Sequence, residues 1–176
     1  MTTRLRANQG TGSGRFLSSH YIEEVKKMSH KSQERNMRRL AGLLGQELSY
    51  IWGGKESGPN GAKKQFLNTG RTFLRALGKD LGLRDAEAHS NPGGIAVPGD
   101  CSLIGMWQTN GLYVHLSQPC CDRERVLLYR TVRHSKDYTG GRNLYLTRRD
   151  LAEMSYPDLL FLLASVREEG AHERAA

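Results

Sequence analysis

Apolar positions recur three and four residues apart through two long stretches of the first half of the chain. Met37, Leu40, Ala41, Leu44, Leu48 and Ile51 form one such series. This is the period of a helix with a single buried stripe, and it predicts a helix over about 32–50. At about 100° per residue, the opposite face collects Lys31, Arg35, Arg39 and Gln46, with Arg38 on the flank. Trp52-Gly53-Gly54 then supplies a stop. A separate short helix, from about Ser19 to Met28, is expected before it, because Ser19 can cap a turn that opens with Tyr21 and Glu23. Phe66, Gly70, Phe73, Leu74, Leu77 and Leu81 predict a further helix over about 62–81, ended by Gly82. Its other side carries Lys64, Asn68, Arg71, Arg75 and Lys79 in a stripe roughly 80° wide.

Beyond residue 84 the pattern changes to short apolar runs between turn residues. Pro92-Gly93-Gly94 and Pro98-Gly99 bracket Ile95-Ala96-Val97, read as a short strand. Strands are expected over 101–107 and 112–116, joined by a hairpin at Asn110-Gly111. Residues 125–132 read as a central strand and 144–146 as another. Thr147-Arg148-Arg149-Asp150 has capping-box form and opens a helical turn. Ser155-Tyr156-Pro157-Asp158 starts the last helix, whose apolar run over 159–164 is expected to be buried in the core or against a second copy of the chain.

Helices followed by antiparallel strands and a closing helix make an α+β fold, with N-terminal helices packed on a small antiparallel sheet. The expected organisation is a disordered basic arm over 1–17 and a single domain over 18–170. That domain divides into a basic helical part (18–84), a β part (85–147) and a C-terminal helix (148–168).

Charge sharpens this picture. The chain of 176 residues has 26 Lys and Arg against 18 Asp and Glu, a formal net charge of +8. Residues 1–84 hold 16 basic and 6 acidic side chains, a net +10, and residues 85–176 hold 10 and 12, a net −2. A basic half beside a near-neutral half points to a surface that meets a polyanion. No apolar stretch reaches the ~20 residues of a membrane span, and the first residues have no apolar core like that of a secretory signal. Cys101, Cys120 and Cys121 are too few and too oddly spaced for a disulfide framework, so a cytoplasmic setting is expected.

Four stretches are candidates for chemistry. Gly53-Gly54-Lys55-Glu56 lacks the Lys-Ser/Thr of a P-loop and follows a helix rather than a strand. The loop could at most bring Lys63 and Lys64, in the first turn of the next helix, to one phosphate. His115, Cys120, Cys121 and Cys101 lack the paired spacing of zinc ligands, because adjacent cysteine side chains diverge. His89, His115 and His134 have no nucleophile at a spacing that joins them, so no catalytic residue, metal or cofactor is expected. Tyr113, His115 and Ser117 should share one face of a strand. Residues 136–143, KDYTGGRN, read as turn chemistry rather than an anion nest.

The stretch HSNPGGIAVPGDCSLIG…GLYVHLSQP…VLLYR…KDYTGGRN resembles uncharacterised proteins carried on bacterial plasmids, phages and integrative elements. The resemblance covers the second half and brings no activity or site. It implies a prokaryotic cytoplasm and a role in element maintenance, regulation or antagonism of host defence. The functional expectation is a nucleic-acid-binding accessory protein, for DNA or RNA, whose phosphate contacts are Lys31, Arg35, Arg38, Arg39, Lys63, Lys64, Arg71, Arg75 and Lys79. The alternative is a protein-interaction module, an inhibitor or subunit of a nucleoprotein complex that meets an acidic partner. Neither reading needs an enzyme, and the sheet lacks the paired aromatics of an RRM around Tyr113 or Tyr129.

Overall fold

The computed structural model describes residues 19–49, 61–118, 124–137 and 140–172. The expected basic arm, the glycine loop over 53–60, Cys120 and Cys121 lie outside the described residues.

One helix, α1 (Ser19–Leu44), takes the place of the two expected over 19–28 and 32–50. Ser29-His30-Lys31-Ser32, between them, contains neither Gly nor Pro, so nothing interrupts the backbone ladder. The helix also stops earlier than expected. Gln118 donates its side-chain amide to the carbonyls of Leu44 (2.9 Å) and Gln46, satisfying acceptors that the helix end leaves open. The apolar series is nevertheless buried as its period requires: Met37, Leu40, Ala41, Leu44 and Leu48 are all in the core.

The second helix, α2 (Ala62–Asp80), buries Phe66, Gly70, Phe73, Leu74 and Leu77. It closes at Leu81, and Gly82 takes a φ of 64°, the left-handed conformation that glycine adopts without penalty.

Five strands follow: β1 (Arg84–Asn91), β2 (Asp100–Met106), β3 (Gly111–Ser117), β4 (Arg125–Val132) and β5 (Leu144–Thr147). They form an antiparallel sheet in sequential order. The apolar pattern does not predict the first of them. The strand expected at 95–97 is instead a turn, with the Val97 amide donating to the Gly94 carbonyl (3.3 Å). The hairpin between β2 and β3 closes through Trp107 and Asn110, as the Asn-Gly step predicts. Thr147 and Asp150 complete the capping box of α3 (Arg148–Glu153), and α4 (Tyr156–His172) ends the described chain.

The fold is therefore α+β. Along β2 and β3 buried and half-buried residues alternate, so Cys101, Leu103, Leu112, Val114 and Leu116 face the helices while Ser102, Ile104, Tyr113 and His115 face outward. α2 lies on β1 and β2, and α4 on β3 and β4. α1 packs chiefly on the other three helices rather than on the sheet, where the N-terminal helices were expected. No helix among the described residues is long and apolar enough to cross a membrane.

Candidate nucleic-acid interface

The α2 stripe is the first element of the site. Lys64, Arg71, Arg75 and Lys79 are exposed, while Phe66, Phe73, Leu74 and Leu77 opposite them are fully buried. Packing thus holds the helix by one face and leaves the cationic face to solvent. Arg71 and Arg75 border a shallow cleft of about 440 Å³ against Ala86–Ser90 of the edge strand β1. Glu87 and His89 stand in the same cleft, 3.1 Å apart.

α1 extends the cationic surface. Lys31, Arg35, Arg38 and Arg39 are all exposed. The Arg39 guanidinium donates to the side-chain carbonyl of Gln65 on α2 at 3.1 Å, so the cationic faces of the two helices are neighbours. Arg38, the next residue round the helix, faces the other flank. There it lines a second cleft with Arg148, Arg149 and Glu124.

Lys63 does not join them. It has no exposed surface, and its ammonium donates to the carbonyls of Gly94 (2.9 Å) and Val97 (2.7 Å). Burial lowers its pKa. The reason is rotational: Lys63 precedes Phe66 and Gly70 by three and seven residues, which puts it on the buried face of α2. It is a strut for the turn between β1 and β2, not a phosphate contact. That turn carries Ile95 and Val97, both exposed.

The other candidates resolve as structural or separate. Cys101 lies under α2, where burial pushes its thiol up to about 12, and His115 is on the opposite face of the sheet, so the two cannot share a metal ion. No group of three potential metal ligands occurs among the described residues. His115 approaches Asp100 at 3.6 Å, and burial holds its pKa below the ordinary value against the opposing effect of that carboxylate. Of the residues described in the 136–143 stretch, the Asp137 carboxylate accepts from the amides of Arg133 (3.0 Å) and Gly140 (2.6 Å), and Arg130 donates to the carbonyls of Asp137 and Gly140. The Gly140 amide is thus already occupied by that carboxylate.

Sequence reasoning missed Arg148 and Arg149 as part of the cationic surface, because it read them only as the interior of a capping box. It also missed the edge strand beside Arg71 and Arg75, which has no alternating apolar residues to reveal it. Comparison with family models, curated proteins and solved structures finds no match to this chain.

Proposed function

We propose that this chain is a nucleic-acid-binding accessory protein that lays its helical side on the phosphate backbone. One observation carries the reading: exposed Lys64, Arg71, Arg75 and Lys79 of α2 are continuous, through the Arg39–Gln65 hydrogen bond, with exposed Lys31 and Arg35 of α1. Adjacent cationic helices held on a separate apolar core suit backbone contacts, which position a protein without reading sequence. If four of these side chains neutralise phosphates on a duplex, log affinity should fall against log salt with a slope of about 3 to 4. A fluorescence-anisotropy titration of a mixed-sequence duplex at increasing salt tests this. A flat dependence removes the reading.

A second reading has its own support. The cleft holding Arg71 and Arg75 runs along the outer strand of the sheet, where an extended acidic segment could pair with the β1 backbone and set its carboxylates on the arginines. The strand is irregular, with a register shift between Arg84 and Glu87 and Asp85 at a φ of 50°, and such features discourage edge pairing. Nucleic acid is therefore the preferred partner. Tighter, less salt-sensitive binding of an acidic peptide than of a duplex would reverse the order.

A further inference from the structure

Eight residues of α4, Leu159 to Val166, separate Asp158 from Arg167, and none of the eight is charged. A helix that packs on a core by one face ordinarily carries polar and charged residues on the other. Here Tyr156, Leu159, Leu163 and Val166 take the core, and the opposite side is apolar as well. Pro157, Phe161 and Ala164 are exposed there, with Leu160 half-buried beside them. Phe161, at 79%, is the most exposed large apolar side chain among the described residues.

This exposure does not come from a helix loose at its ends. At the start, the Ser155 hydroxyl donates to the Asp158 carboxylate (2.6 Å) and accepts from the Asp158 amide (3.2 Å). The buried Tyr156 donates its own hydroxyl to Asp80 of α2 at 2.8 Å. Towards the other end, Asn110 of the β2–β3 hairpin donates to the Arg167 carbonyl at 3.1 Å, and the Arg167 guanidinium stands 6.0 Å from the centre of the Trp107 ring. The apolar stripe is therefore presented on a fixed support, and covering it requires little further ordering of the chain.

We infer that this stripe is the contact face of a homodimer, in which α4 lies antiparallel to α4 of a second copy across a two-fold axis. A two-fold contact must be complementary to itself, and the stripe is so in both size and charge. Asp158, Phe161, Ala164 and Arg167 are all exposed and step round the helix by about 60° each. An axis midway between Phe161 and Ala164 therefore sets the large ring of one copy against the small residue of the other. The same rotation places Asp158 beside Arg167 of the second copy, at both ends of the contact. A parallel pair would instead oppose Phe161 to Phe161 and Asp158 to Asp158. A stripe about 15 Å long buries less than the roughly 1,000 Å² of a stable interface, so the dimer is weak and reversible. It needs no nucleic acid, since none of the cations proposed to meet phosphate lies on α4.

Sedimentation equilibrium of the full chain without nucleic acid, from about 5 to about 500 μM, reads the pairing directly, with melting temperatures measured alongside. The parent should pass from monomer to dimer with a dissociation constant of about 10–100 μM. Phe161→Glu, at an exposed position, should melt like the parent and raise that constant about tenfold or more, and the uncharged Phe161→Ser should weaken pairing in the same sense. Arg167→Glu sets a carboxylate against Asp158 of the second copy and should weaken pairing about fivefold; adding Asp158→Asn should recover most of that loss. A parent that stays monomeric to the top of the range overturns the inference, as do folded Phe161 variants that pair like the parent. Equal pairing by the parent and Arg167→Glu overturns the antiparallel arrangement. A monomeric parent that binds phosphatidylcholine vesicles, and loses them in Phe161→Glu, would assign the stripe to a lipid surface instead.

Discussion

Lys63 and Lys64 stand about 100° apart on α2, and that rotation separates a strut from a surface cation. The spacing of Lys63 from Phe66, Gly70 and Leu77 was visible in the sequence and placed it among buried residues. Its charge drew the functional reading instead, because a buried ammonium needs acceptors, and nothing in the local sequence showed that Gly94 and Val97, about thirty residues on, supply them. Lys63→Ala should cost about 1–3 kcal/mol by leaving those carbonyls without this donor, and should leave the salt slope of nucleic-acid binding unchanged. Urea denaturation and the salt titration check the two halves separately; a reduced slope at full stability would return Lys63 to the interface. His115 provides a pH-dependent counterpart. Because its folded pKa is lowered, the unfolded chain takes up a proton first as pH falls through about 6.5, and stability should fall with it. His115→Asn should lessen the drop in melting temperature between about pH 7.5 and about pH 5. An equal or larger drop in the variant would contradict that sign.

Among the elements, α2 was legible almost to the residue, because a strong apolar period, an exposed cationic stripe and a closing glycine all agree. β1 was not, since an edge strand whose side chains are mostly exposed has no apolar alternation to betray it, and its structure comes from pairing with β2. Ile95-Ala96-Val97 misled in the opposite sense: it has strand composition, but it sits between Pro-Gly steps and is fastened by Lys63 as a turn. The seating of α2 on the sheet depends on a contact that sequence could not show. A Cβ on Gly70 would lie 2.7 Å from the Cys101 sulfur. Gly70→Ala should therefore destabilise by about 1–3 kcal/mol through overpacking, despite the better helix propensity of alanine. Adding Cys101→Ala should recover part of that loss. A single variant as stable as the parent, by thermal melting, would show that the helix can shift outward without cost.

At the scale of the whole molecule, the charge asymmetry between the two halves becomes a spatial one. The cationic residues of 1–84 that are described lie mainly on the outer surfaces of α1 and α2, while the sheet turns a half-buried face with Ile104, Tyr113 and His115 the other way. The α+β architecture could be read from the order of patterns along the chain. The joining of α1 to α2, and the reach of the cationic surface round α1 to Arg148 and Arg149, required the tertiary packing. The central claim is that this helical side meets phosphate. It is tested most directly by the salt dependence of duplex binding for the parent and for Arg71→Glu/Arg75→Glu, two exposed positions outside the core. The charge-reversed protein should melt like the parent, bind far more weakly and show a slope reduced by about 2. A folded variant that binds with the affinity and slope of the parent would contradict the account.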